Sequence, residues 1–430
     1  MLCFRKNMIE ISKIFLIFPI YLLFICAPFQ IFDKLNNKLN INFLSLNLII
    51  NCNILLLLSL TNFKIKDYQL FLFVIYVLIF LFNIIKFKEN FLKIKTNLFI
   101  LFVSFIIFGL VIANNLDLGW DAKYFYHTKS LFFYEGLGLR ELSEFEHNKW
   151  HPHFGSFLWA FFWSIPIFDI EYFGRLFYLF IFCFSIYFIT VESNKNTLFN
   201  SVLFFLILSI TFNYERFSGL QEILIFSFLI ISSKILYDLK ISNKIFSVSS
   251  ILLIVNLLLW IKSEGVAYAS FLIIILTINK NIFLKEKIII FTIFIFLILF
   301  KNFIFGYYEF EMNSQPYNMA FIKQINLEEL LFRIKSLIIY GGYYSLKNIL
   351  LIFSSIILIK LYFSKDNQIK LLNFFTYFIL NILFIFFAYI LRDMEIIYSL
   401  KTTLERIVFT SSAFYIYLII LFVNKKIKIN

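Results

Sequence analysis

Stretches of about twenty mostly apolar residues, the length that crosses a bilayer as a helix, recur from one end of this chain to the other. They fall near 13–32, 41–60, 68–85 and 97–113, then near 154–168, 173–191, 198–213, 220–237, 246–261, 265–279, 287–305, 343–363, 371–391 and 407–423. One aqueous core cannot hide so many. The chain is 61% apolar and 15% charged, where a soluble domain carries about 25% charged residues. Ten-residue alternating segments, the mark of a membrane β-barrel, are absent. The expected fold is an all-α polytopic membrane protein with about 12–14 membrane helices. We expect an external loop after the fourth span that holds a helix beside the membrane. No repeat and no Pro/Gly/Ser linker divides residues 1–430, so a single membrane-embedded domain is expected. The first run is too long for the core of a cleaved signal and lacks an A-x-A site, so it reads as a retained span.

The net charge of +13 does not point to nucleic acid, because the lysines cluster between apolar runs. Cytoplasmic loops carry such an excess. KFKENFLKIK (86–95), NKNIFLKEK (279–287), SKDNQIK (364–370) and NKKIKIN (424–430) are all basic. With these inside, residues 114–153 lie outside, as do the intervals near 214–222, 262–265, 306–335 and 392–405. The segment 154–168 then dips in or lies at the interface without crossing, or the basic tail would face outward. Its Trp159 and Trp163 suit an interfacial helix. The cysteines (Cys3, Cys26, Cys52, Cys183) are scattered without CxxC spacing, so neither a disulfide framework nor a zinc site is indicated.

The interval 114–153 reads NNLDLGWDAKYFYHTKSLFFYEGLGLRELSEFEHNKWHPH. It holds six carboxylates, four cations and all four histidines of the chain (His127, His147, His151, His153). From Asp121 to Tyr134 the apolar residues keep helical spacing, which predicts a helix resting on the membrane. Tyr124, Tyr126, His127 and Lys129 share its adjacent faces, and GLGLR ends it.

GWDAKYFYHTKSLFFYEG, followed by WHPHFGSFLWAFFWSIPIF and FGRLFYLF, resembles the first external loop of GT-C glycosyltransferases, a superfamily that includes protein O-mannosyltransferases and lipid A aminoarabinose transferases. IKSEG (261–265) is similar to the "KNEG" of bacterial members, and DMEIIYSLKTTLERIVF (393–409) to a late "HLxTSxxR" element. Where the mannosyltransferases carry Asp-Glu, this chain has Asp121 and Ala122, and HPH stands in place of a double proline.

The resemblance implies transfer of a sugar from a polyprenyl-phosphate donor to an acceptor hydroxyl at the external membrane face, with inversion. The acceptor is a lipid, a glycan or a protein, and the implied location is the bacterial inner membrane, with the site facing the periplasm or exterior. Asp121 is the candidate base; the alternative is an N-cap of the 122–134 helix. Arg406 occupies the family's arginine position and suits the leaving phosphate. Lys401 and Arg392 lie nearby in sequence, with snorkelling at a span end as the alternative. Lys262 and Glu264 are costly so near the membrane unless they pair with each other or serve the site. Glu222 sits at a comparable span start. Lys123, Tyr126, His127, Lys129, His151 and His153 are candidates for substrate contact. HPH with Asp121 or Glu146 also offers ligands for a divalent cation, although the spacing matches no closed zinc signature. Polar contact with donor or acceptor is the reading carried forward. A polyprenyl-linked oligosaccharide polymerase or ligase would place its large loop late in the chain. A lipid-linked sugar flippase would carry charges deep within its spans.

Overall fold

The computed structural model describes residues 2–29, 40–86, 95–144, 151–166, 168–191, 193, 196–310, 325–363 and 368–424. Every regular element among them is helical. In chain order these are α1 (Leu2–Cys26), α2 (Ile41–Ser59), α3 (Ile65–Lys86), α4 (Lys95–Asn114), a π-helical stretch (Ala122–His127), α5 (Thr128–Tyr134), α6 (Leu139–Ser143), α7 (Phe154–Trp163), α8 (Tyr172–Thr190) and α9 (Thr197–Thr211). Then follow α10 (Glu222–Tyr237), α11 (Lys244–Ile261), α12 (Gly265–Ile278), α13 (Leu284–Tyr307), α14 (Leu327–Lys347), α15 (Ile349–Phe363) and α16 (Gln368–Ile390). The chain closes with α17 (Ile396–Ser399), a second π stretch (Leu400–Leu404), α18 (Glu405–Ser412) and α19 (Ile416–Val423).

Asparagine starts several of these helices. Asn40, Asn196 and Asn326 each accept hydrogen bonds from backbone N–H groups of the first turn that follows, donors that otherwise lack a partner.

Eight described helices are long and apolar enough to cross a membrane, or nine if the bent pair α14–α15 counts as one. The polytopic all-α class stands on these. Four further apolar helices (Leu98–Asn114, α7, α9 and α12) are shorter, and the expected number of spans had included such runs. The basic stretches at 86–95, 364–370 and 424–430 fall largely outside the described residues.

Contacts divide the chain into two compact units. The first comprises Met1–Ser227, Asn256–Gly265 and Tyr307–Glu309. Its centre is α8, buried along its whole length and packed by α4, α7 and α9. The filling is aromatic: Phe162 stacks on Phe177 with centroids 3.7 Å apart, and Tyr21 meets Phe105 and Phe162 edge-on. On the outside, α3 leaves Phe71 and Phe82 more than 60% exposed. A face this apolar is at home in lipid, not water.

Two short helices pack deeply into protein. At ten residues, about 15 Å, α7 is too short to cross a hydrocarbon core, in line with a segment that does not cross. Phe154–Phe162 are buried, and Trp159 donates from Nε1 to a Glu171 carboxylate oxygen at 2.9 Å. The helix over 121–134 forms, but Ala122, Tyr126, Lys129, Ser130 and Phe133 turn inward to protein. Only the face with Trp120, Lys123 and Tyr124 is exposed.

The second unit comprises Phe228–Val255, Val266–Gly306 and Phe310–Asn430. Its α13 exposes Phe296 and Phe303, 63% and 67% accessible. The apolar run read over 343–363 is not one helix. It breaks at Asn348, where α14 and α15 meet at 96°.

Candidate polar site in the first unit

Four pieces of chain build the site: the 114–134 stretch, the turn at 151–153, the α10 start and the α11–α12 turn. Tyr214 fixes the first piece by donating to the carbonyls of Asn115 and Asp117 at 2.8 and 3.0 Å. The Gly119 N–H donates to the Ser218 carbonyl at 3.1 Å. The next residue, Gly219, has φ +97°, and a Cβ there would lie 2.5 Å from the Trp159 ring. Glycine is therefore required on both counts. These bonds tie the backbone before Asp121 to the backbone before Glu222.

Asp121 is itself helical, with φ −58° and ψ −39°, and its side chain makes no capping bond. The cap alternative is not realised. The residue is half-buried at the start of the π-helical stretch, a distortion that occurs often at functional sites.

Lys262 ends α11. Its ammonium sits 2.7 Å from a Glu222 oxygen and 3.4 Å from a Glu264 oxygen. The pairing expected within IKSEG is present, and Glu222 joins it. Glu264 Oε2 is buried without a hydrogen-bond partner among the described residues. The turn that brings Glu264 back is closed by Gly265 N–H donating to the Lys262 carbonyl. A Cβ on Gly265 would fall 1.9 Å from the Leu258 carbonyl oxygen.

Tyr126 reports how the pieces converge. Burial pushes its phenol above the usual range; Lys262 pulls it down, while Glu222, Glu264 and Asp121 push it further up. Four charges from three pieces of chain thus act on one hydroxyl, which stays protonated and able to donate. Lys129 is fully buried and donates to the His151 carbonyl at 2.6 Å. Burial pushes its ammonium down to about 7. His151 is held well below its usual value, first by burial, then by Lys129 and Lys262, against the opposing pull of Glu222. It is therefore a neutral imidazole, packed on the rings of Phe125 and Tyr126.

Asp121, Tyr126, Lys129, His151, Glu222, Lys262 and Glu264 therefore gather in one neighbourhood of the first unit. The remaining candidates lie elsewhere. Lys123 is exposed, with its ammonium over the Tyr124 ring. His127 faces away from this group and stacks on Trp163, its pKa lowered chiefly by burial. His153 is buried; its Nε2 is 3.0 Å from Ser59 Oγ and its ring lies against Phe133 and Trp260. The rings of His151 and His153 thus meet different neighbours. No group of three or more His, Cys, Asp and Glu side chains among the described residues is placed to hold a metal ion. Glu146 and His147 lie outside those residues. Arg406 belongs to the second unit, half-buried in the first turn of α18, with Lys401 exposed in the π stretch before it. Arg392 there donates to Thr403 Oγ1 at 3.1 Å.

A further buried charge in the first unit escaped the site reading. Arg175 is fully buried in α8 and pairs with Glu171 at 2.9 Å, and Nη1 has no hydrogen-bond partner among the described residues. The legible signal was EYFGR, an acid and a base four residues apart at the head of an apolar run.

Neither a protein-family model, nor a curated protein, nor a solved structure matches the chain.

Proposed function

We propose that the protein is a membrane-embedded glycosyltransferase that uses a polyprenyl-phosphate sugar donor at the external face of the bacterial inner membrane. The observation that supports this most is the meeting of DAKYFYHTK with IKSEG. Elements far apart in sequence, singled out for the same chemistry, bring Asp121, Lys262 and Glu264 to bear on one Tyr126 hydroxyl.

In the proposed step the acceptor oxygen bonds to the anomeric carbon from the face opposite the phosphate. The bond from that carbon to the phosphate oxygen breaks, and its electron pair leaves with the polyprenyl phosphate. The acceptor proton passes to the Asp121 carboxylate. Carboxylates close by also favour the positive charge that develops on the sugar ring. Lys262, held between two of them, keeps the neighbourhood from becoming wholly anionic, and Tyr126 donates to a polar substrate group.

The test is consumption of a labelled polyprenyl-phosphate sugar by purified protein. Asp121→Asn should lower turnover by at least ~10²-fold while the melting temperature and elution profile stay unchanged. Activity retained in Asp121→Asn removes that residue's role. No consumption by the wild type, across several sugars, removes the transferase reading itself.

A further inference from the structure

We infer that α14 is an interfacial helix, lying in the plane of the membrane surface with its exposed apolar stripe in the boundary between headgroups and acyl chains. The helix carries a long apolar stripe on its exposed side. Leu331, Phe332, Ile338, Ile339, Tyr343 and Leu346 recur at helical spacing and face outward, Ile338 and Leu346 being 69% and 73% exposed. The inner face is mixed: Leu337 joins a core cluster with Tyr389, Ile396 and Leu400, and polar side chains are buried beside it. Arg333 is buried there, donating to Glu329 at 2.6 Å and to the carbonyls of Arg392 and Met394 at 2.8 and 3.1 Å. Ser336 is buried beside it. An outward stripe this apolar, with a guanidinium turned inward, is the wrong way round for water and the right way round for lipid.

Geometry and charge then separate an interfacial helix from a tilted span. α15 touches α16 and α19, which belong to membrane-crossing segments, α14 touches α16 as well, and the two helices meet at 96°. At that angle no more than one of them runs along the bilayer normal, and the charge on its exposed face sets α14 apart as the one that does not. Lys335 is exposed on the apolar face, near the middle of the 21-residue helix. In a span it would sit near the centre of the hydrocarbon facing lipid, where a charge is costly. In the surface plane every position is at headgroup depth, so Lys335 reaches water along its own stem. Asn348 makes the corner: its N–H ends α14, and its side-chain oxygen accepts from the N–H groups of Leu350 and Leu351 to start α15.

The placement is tested in the full chain in proteoliposomes by nitroxide labels at positions 331, 338, 339 and 346, on a background without native cysteines. Collision with oxygen and with a water-soluble nickel chelate reports depth. The expected result is one shallow depth at all four sites. Labels at 289, 296 and 303 of α13, a span with an exposed face, should change depth by ~1.5 Å per residue. A steady ramp along α14, roughly 22 Å from 331 to 346, overturns the inference in favour of a broken span. Low collision with both reagents overturns it in favour of a protein partner, such as a second copy, covering the stripe. Either way the result is independent of what chemistry the polar site carries.

Discussion

Lys262 carries the largest consequence of any single side chain. It stands between Glu222 and Glu264, and it and Glu222 are both buried. Removing the cation leaves two carboxylates facing each other out of water, a defect of about 3–5 kcal/mol. Lys262→Met should therefore unfold in milder denaturant than the wild type. Adding Glu222→Gln should recover part of the loss, because the uncompensated charge goes with it. A single variant as stable as the wild type would mean that the pair is solvated. Lys129 makes a pH-dependent contribution. With its folded pKa near 7, the native chain gives up a proton between pH 7 and the ordinary lysine range that the unfolded chain keeps. Stability should thus rise with pH across that window, by at most ~1.4 kcal/mol per pH unit. The slope should shrink in Lys129→Met, as followed by thermal unfolding in detergent. How much of the site could be read in advance also divides at this scale. Asp121, Tyr126, Glu222, Lys262 and Glu264 stood out because charge and hydroxyl beside apolar runs demand a reason. Where His127 and His153 point could not be read, since one residue of helical phase or a turn at Pro152 decides which neighbour a ring meets.

Among the helices, the apolar runs were legible and their breaks were not. The run over 343–363 contains no proline, and Lys347 with Asn348 is too brief an interruption to lower the average over the length of a span, so hydropathy passes straight through the corner at Asn348. What makes the corner is a side-chain oxygen that caps a new helix, which average hydropathy does not register. Asn348→Ala should cost ~1 kcal/mol, measured as a fall in unfolding midpoint. In α7 the sequence did not show which side chains are core: Trp159 is buried and finds its partner in Glu171. The turn after α11 is the most constrained element. Because a methyl on Gly265 would meet the Leu258 carbonyl at 1.9 Å, Gly265→Ala should displace Glu264 as well as destabilise the fold. Both thermal stability and donor turnover should drop.

For the molecule as a whole, the all-α membrane class follows from how little of the surface is polar. α3 and α13 each present long apolar faces outward. Orientation rests on the lysines, and cysteines introduced at positions 145 and 427 should label from opposite sides of sealed vesicles. Labelling from one side would mean that an even number of crossings separates the loop from the tail, against what the charges imply. Within the first unit the helices have unequal relations to the bilayer. α3 is mostly exposed, with only 17% of its apolar window buried, whereas α8 is 100% buried and meets protein on every side. Hydrophobic mismatch acts only on helices that lipid touches. Shorter or longer acyl chains will tilt α3, while α8 and the α7 helix packed on it keep their length matched to protein alone. The polar site hangs from the part of the unit that cannot sense bilayer thickness.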